Sequence, residues 1–291
     1  MSDAIRHLDE FDTDPRFTAH VVENERITAE GAPAEVREIV LDVEREEFPY
    51  QIGQSIGVLA PPAAGFGQEH HFRLYSVADV PERGEHGRSR IKICVRRCFY
   101  LDEFSGEQFP GVASNFLCDR KPGDQLSVTG PFGLVFDVPE ERDANLVLIG
   151  SGTGIAPFRA LVKHIYRDVA DWSGRVWLFY GARTGLELLY MNDERDDFTQ
   201  YYDEETFEAF RALSPRPAFS ESIAWDQPIR ERGEELWRML GEAHTYVYLA
   251  GLEDMIEKLD AVFSELAGGE EKWQRRRAEL QAGRRWVELV Y

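Results

Sequence analysis

One segment constrains this chain more than any other. Leu146-Val-Leu-Ile-Gly-Ser-Gly-Thr-Gly-Ile-Ala-Pro157 is an apolar, strand-like run that breaks into closely spaced glycines and resumes as a helix with a proline near its start. Proline is tolerated in a first helical turn, where its missing N–H has no intrahelical partner. Glycines let a backbone approach a ligand closely, and the N–H groups at a helix start attract a pyrophosphate. The segment therefore predicts a parallel strand, a turn and a crossover helix, with a dinucleotide held at the strand's C-terminal end by Gly152, Thr153 and Gly154. It departs from the strict G-x-G-x-x-G fingerprint, so taken alone these residues are equally compatible with a purely structural turn.

A chain of 291 residues exceeds what one core usually supports, which predicts two domains. The rhythm changes across a polar linker, Pro139 to Ala144. Before it, over 17–138, short β-rich runs at 17–22, 36–43, 54–59, 72–77, 91–97 and 125–129 are separated by turn-forming stretches such as PPAAGFG and KPGD. This pattern predicts an antiparallel Greek-key β-barrel. After it, over 144–291, strands at 146–149, 176–180, 246–250 and 286–291 alternate with helices at 156–166, 234–240, 255–266 and 273–281. Such alternation predicts a Rossmann-like parallel α/β domain. Residues 1–16 read as an acidic N-terminal arm.

Charge and cysteine usage exclude several functions. A net charge of −20 repels nucleic acid and anionic lipid. Lysine is confined to Lys92, Lys121, Lys163, Lys258 and Lys272 while arginine is common; adaptation to high salt and simple solubility both account for this balance. Cys94, Cys98 and Cys118 have no C-x-x-C spacing, so no metal or iron–sulfur site is expected and redox chemistry has to use an organic cofactor or a separate protein. No apolar run approaches the ~20 residues of a membrane span, and the acidic start is unlike a targeting peptide, which predicts a cytoplasmic protein.

Two motifs in the first half hold chemically useful groups, although Arg73 to Ser76 taken alone reads better as an amphipathic barrel strand with an exposed arginine. In Arg73-Leu74-Tyr75-Ser76 a strand sets Arg73 and Tyr75 on one face and Ser76 on the other. Arginine forks onto phosphate, tyrosine stacks on a planar ring, and a hydroxyl bonds a ring edge. Gly111-Val112-Ala113-Ser114, followed by Asn115-Phe-Leu117, has the small residues of a turn opening a short helix, a second phosphate cradle.

With these motifs, the segments HHFRLYSVA, ICVRRCFY, GVASNFLCDRKPGD, TGPFG, GSGTGIAPFRA, GARTGLELLY and YVYLAG stand in an order and spacing that resembles the plant-type ferredoxin–NADP reductases, from about residue 17 to Tyr291. The resemblance implies that the barrel holds FAD and the α/β domain the nicotinamide nucleotide. It implies that Arg73 binds the flavin pyrophosphate, Tyr75 stacks on the isoalloxazine and Ser76 sits beside its reacting edge, with Leu74 on the same strand. Cys94, Val95 and Arg96 match the family strand beside FAD, Tyr100 its adenine-stacking tyrosine, and Gly111 to Ser114 its phosphate turn. Thr153 matches a threonine near the pyrophosphates, Ala182-Arg183 and Gly251-Leu252 match nucleotide-lining loops, and Tyr291 matches a terminal tyrosine that covers the flavin. The implied activity is FAD-dependent electron transfer between NADH or NADPH and a one-electron carrier: ferredoxin, flavodoxin or an oxygenase component. No oligomeric state follows.

Three positions depart from the family pattern. Ala250 stands where the family has a cysteine at the reacting centre, and Leu289 where it has a glutamate, with Glu288 facing the other way on the strand. Hydride transfer depends on stacked rings more than on a side-chain acid, so activity is expected to survive. Where NADP-preferring members carry Ser-Arg, this chain is read as Ser220-Glu221. Losing a charged hydrogen bond costs about 1.5–3 kcal/mol, roughly ten- to a hundredfold in affinity. An acidic residue binds ribose hydroxyls instead. That reading predicts a preference for NADH, unless Arg183 or Arg230 supplies a replacement contact for the phosphate of NADPH. Two alternatives stay open: the reductase component of a multicomponent oxygenase or epoxidase, and a flavin-binding regulatory protein whose catalysis has decayed.

Overall fold

The computed structural model describes residues 8–45, 48–62, 69–133, 135–217 and 222–290. The chain divides into two compact units, Met1–Ile27 with Ala34–Leu134, and Thr28–Pro33 with Val135–Tyr291. Residues 135–138, grouped with the barrel on sequence, belong to the second unit. Phe136 is fully buried there, with ring centroids 5.3 Å from Phe158 and 5.1 Å from Tyr248, and the Tyr248 hydroxyl donates to the Asp137 carbonyl at 2.7 Å.

The first unit contains β1 (Arg16–Arg26), β2 (Val36–Val43), β3 (Ser55–Ala60), β4 (His71–Ser76), β5 (Glu82–Arg83), β6 (Ser89–Arg96), β7 (Phe99–Leu101), β8 (Gln108–Pro110), α1 (Val112–Cys118) and β9 (Gln125–Phe132). Seven strands form one antiparallel sheet in the order β4-β3-β9-β1-β2-β6-β5. Val77, one residue past β4, bridges Ile93 of β6, and the Ala78 N–H donates to the Lys92 carbonyl at 2.8 Å. That contact curls the sheet into a barrel and gives β4 a neighbour on its open side. Inside lie Val21, Ile39, Leu41, Ile56, Val58, Ile91, Ile93 and Val128, joined by Leu117 and Cys118 from α1. Burial pushes the Cys118 thiol up to about 12, so it stays protonated at neutral pH.

The second unit contains β10 (Asn145–Ser151), α2 (Ile155–Arg167), β11 (Val176–Ala182), β12 (Phe207–Leu213), α3 (Asp226–Glu231), α4 (Gly233–Met239), β13 (Thr245–Gly251), α5 (Asp254–Ala267), α6 (Glu270–Ala282) and β14 (Trp286–Val290). Its sheet is parallel throughout, in the order β12-β11-β10-β13-β14. The chain leaves β10 toward one edge, then returns to lay β13 and β14 on the other side. The order therefore reverses between β10 and β13, the place where doubly wound sheets open a ligand crevice at the strands' C-terminal ends. One strand, β12, is not evident in the sequence. Phe-Glu-Ala-Phe-Arg-Ala-Leu carries helix formers, and tertiary pairing with β11 overrides that preference at an edge position. No helix among the described residues is long and apolar enough to cross a membrane.

Candidate active site

In the barrel, β4 presents the Arg73 to Ser76 group. Pairing with β3 sets Ser76 opposite Ser55 and Arg73 opposite Val58. Arg73 is exposed, with one guanidinium nitrogen donating to its neighbour's carbonyl, Phe72 O, at 2.8 Å. Leu74 and Tyr75 are half-buried, and Tyr75 packs against the barrel core. Burial raises the Tyr75 phenol above the ordinary tyrosine value, so it remains neutral. The Ser76 and Ser55 hydroxyls lie 3.5 Å apart.

A dense set of bonds stitches the end of β6 to the start of α1. The Gly111 N–H donates to the Cys98 carbonyl at 2.9 Å, and the Cys98 N–H donates to Ser114 Oγ at 3.2 Å. Asn115 Nδ2 reaches both the Cys98 and Gly111 carbonyls at 2.8 Å. Gly111 is the N-cap of α1, and no side chain caps this end. At the other end Asn24 Nδ2 donates to the carbonyls of Leu117 in the last helical turn and Arg120 beyond it, at 3.0 and 2.7 Å. Val112 and Ser114 are half-buried and Ala113 is buried. Of the other residues singled out on sequence, Cys94 and Val95 are buried, Val95 within the barrel core, whereas Arg96 is exposed. Tyr100, 56% exposed, is stacked on Phe109 across the β7–β8 hairpin at 5.4 Å.

An ion-pair network braces the same turn. Arg97 joins Glu35 at 2.9 Å, Asp119 at 2.9 Å and Asn115 Oδ1 at 3.0 Å, while Arg37 pairs with Glu35 at 2.5 Å. Burial opposes ionisation of Glu35, but hydrogen bonds and attraction from Arg97 and Arg37 outweigh it and hold the carboxyl below the ordinary 4.5. Because the folded value is depressed, the contribution to stability is complete above the unfolded value and is lost as pH falls from about 4.5 through the folded value. Thermal melts from about pH 7 to about pH 3 are expected to show Glu35→Gln destabilised at neutral pH, with a shallower decline than wild type below about pH 4.5. An unchanged acid limb would show that Glu35 contributes nothing to it.

In the second unit all seven residues of β10 are buried, and the strand runs directly into Gly152-Thr153-Gly154. A Cβ on Gly154 would lie 2.1 Å from the Ala250 carbonyl oxygen, so the turn lies directly on the end of β13. Gly251, at φ 155°, leaves room for Ser151, whose Oγ a Cβ there would approach to 2.3 Å. The Ser151 hydroxyl is buried and has no hydrogen-bond partner among the described residues. An orphaned donor at the switch point is what a phosphorylated or amide-bearing ligand would satisfy. Thr153 is half-buried, Ala182 is buried, and Arg183 and Leu252 are exposed.

The β13–β14 register pairs Ala250 with Leu289 and Leu249 with Glu288. Glu288 accepts from Arg277 at 2.7 Å and from the Trp286 indole, and Arg277 also holds Asp260 at 2.6 Å. Glu288 is thus committed to bracing β14 against α5 and α6. Three of the singled-out positions, Ser220, Glu221 and Tyr291, lie outside the described residues.

Residues 148–260 match the oxidoreductase NAD-binding domain family. A chloroplastic leaf ferredoxin–NADP reductase of Oryza sativa is 37% identical over 275 residues, covering 92% of this chain and 75% of the rice protein. The Arabidopsis thaliana leaf isozyme is 34% identical over 94% of this chain and 77% of its own length. This chain belongs to the ferredoxin–NADP reductase family. The fold agrees: the Plasmodium falciparum ferredoxin–NADP+ reductase superposes with a TM-score of 0.71 over 98% of this chain and all of that one, at 18% identity.

For a ferredoxin–NADP reductase, the sheet adds candidate residues that the sequence alone does not mark. Strand β12 ends at Leu213, so Ser214-Pro215-Arg216 follow it at the C-terminal edge of the sheet. The ladder between β11 and β12 ends at Ala182 and Leu213, and just beyond it Arg183 Nη2 donates to the Pro217 carbonyl at 3.1 Å. The unrecognised strand hid this edge. Phe207 and Phe210 stand three residues apart, on opposite faces of the strand, so the segment shows no alternation that would announce it.

Proposed function

We propose that this chain is an FAD-dependent reductase that exchanges a hydride with NADP(H) and passes single electrons to and from a ferredoxin. The observation that carries the reading is the combination in one chain of two unlike ligand sites, each matched in register by a family whose members are named for this reaction. One is an aromatic and arginine-bearing strand at the open side of a barrel, the other a glycine turn at the switch point of a parallel sheet.

The donor set of the first site fits FAD. Arg73 is a phosphate fork, the uncapped start at Gly111 offers backbone N–H groups, and the Tyr75 and Tyr100 rings offer flat apolar surface. Bound flavin supplies the conversion between two-electron and one-electron chemistry. The chain's own residues then do the positioning. Tyr75 would orient the ring system, and Ser76, steadied by Ser55, would hold its polar edge. Gly152 to Gly154 receive the pyrophosphate of the nicotinamide nucleotide, and Ser151 gains the partner it lacks. Arg183, Ser214 and Arg216 receive the additional phosphate of NADPH, so the coenzyme is NADPH rather than NADH.

Purified protein loaded with FAD is expected to be yellow and to reduce ferredoxin, followed through cytochrome c, faster with NADPH than with NADH. A colourless protein that takes up no FAD would end the flavoprotein reading. Reduction of ferricyanide without reduction of ferredoxin would move the partner to a flavodoxin or an oxygenase component.

A further inference from the structure

Tyr180 is a fully buried residue of β11 whose hydroxyl is not spent on the core. It donates to the Gly152 carbonyl at 2.9 Å and accepts from the Leu189 N–H at 3.2 Å. In the sheet Tyr180 pairs with Gly150, and paired residues share a face; a Cβ on Gly150 would touch the Phe158 ring of α2 at 3.1 Å, so this is the α2 face. The ring thus runs beneath the start of α2 and ends at the glycine turn.

The direction of the Gly152 carbonyl matters because a trans peptide is planar and its C=O and N–H point opposite ways. With its carbonyl drawn inward to Tyr180, the 152–153 peptide turns the Thr153 N–H outward, toward the end of β10 where a pyrophosphate would lie. Gly152 sits at φ 53°, a left-handed conformation from which the peptide reorients at little steric penalty, so the turn needs an external restraint to keep one orientation. The Ile155 N–H also contacts this carbonyl, but only as part of the local helical turn. Tyr180 is the restraint from outside the turn.

We infer that the Tyr180 hydroxyl is a positioning group for the nucleotide: it locks the 152–153 peptide in the orientation that offers its N–H to the pyrophosphate, and ties that turn to the loop after β11. The second end of the tie is itself anchored. Arg159 of α2 pairs with Asp197 at 2.5 Å and lies 4.7 Å over the Tyr190 ring, so residues 189–197 cannot drift from α2 and carry the hydroxyl with them. The assignment rests on the reading of the second unit as an NADP(H) site, and names the residue that sets the shape of its phosphate cradle.

The test compares wild-type and Tyr180→Phe holoenzyme, with concentrations counted by bound flavin so that unfolded chain does not enter. Calorimetric titration is expected to show NADP+ bound about tenfold more weakly by the variant, and 2′-AMP, which lacks the pyrophosphate, bound within about twofold of wild type. KM for NADPH should rise by a similar factor while kcat at saturation moves less than about twofold. A lower melting temperature with unchanged NADP+ affinity would mean that the hydroxyl only stabilises the fold, and would overturn the assignment. Equal weakening of NADP+ and 2′-AMP would overturn it too. Wild type that binds no NADP+ would overturn the reductase reading as well, whereas a wild type that binds it, with the variant unchanged, sinks this inference alone.

Discussion

Gly154→Ala is expected to lower NADP+ affinity at least a hundredfold and to stop NADPH-driven electron transfer, while the protein keeps its flavin. The alanine methyl would sit 2.1 Å from the Ala250 carbonyl oxygen, 2.4 Å from its carbonyl carbon and 2.9 Å from the Gly251 nitrogen. All three are backbone atoms within or at the end of β13, a strand paired on both sides, so no rotamer change relieves the clash. Overpacking of this kind costs about 1–3 kcal/mol even where side chains can adjust. Here the relief has to come from the turn itself, which moves off the end of β13 and takes Thr153 and the start of α2 with it. The residues assigned to FAD other than Thr153 and Tyr291 belong to the first unit, so flavin content separates a local effect from general misfolding. Calorimetry with NADP+ and the flavin absorbance of the same sample decide it. A variant that binds NADP+ as wild type does would show that the turn tolerates a shift of this size.

The sequence made this turn legible because its requirements are local. A buried strand, glycines and a helix starting with proline in its first turn follow one another along the chain, and β10, the turn and α2 appear in the structure within a residue or two of the expected limits. The barrel strands were legible for a similar reason, since each alternates or runs apolar between turn signals. The site residues were legible only as types. That Gly154 serves close packing against β13, and Gly251 clearance for Ser151, depends on a strand almost a hundred residues away, and no local pattern encodes that approach.

What stayed hidden is tertiary in origin. Tyr180 reads as one more aromatic in an apolar run, Val-Trp-Leu-Phe-Tyr, and only the fold places its hydroxyl between Gly152 and Leu189. For Glu288 the sequence gives only a strand face, opposite to that of Leu289. The parallel register with β13, together with Arg277 and Trp286, holds it there. The coenzyme site gains a candidate in this way: once β12 is recognised, Ser214 to Arg216, which follow it, join Ser220 and Glu221 as positions to test for the additional phosphate.

The choice between these positions makes the coenzyme preference a sharp test. Arg216→Ala is expected to lower kcat/KM for NADPH roughly ten- to a hundredfold, the equivalent of a lost hydrogen bond between charged groups at about 1.5–3 kcal/mol. NADH, which has a hydroxyl where NADPH has the phosphate, should change less than about threefold, since the same arginine has no charge to meet on it. The surroundings sharpen the effect. A chain with net charge −20 repels a dianion except where arginines are grouped, and Arg183, through its bond to the Pro217 carbonyl, is held against the segment that carries Arg216. Arg216 is exposed, so the preference should narrow as salt rises and screens the pair. Steady-state kinetics with both coenzymes at low and high salt measure all of this. Glu221→Arg supplies the opposing case: if that change, and not Arg216→Ala, moves the NADPH to NADH ratio, the phosphate lies further along the loop and the strand-end assignment is wrong.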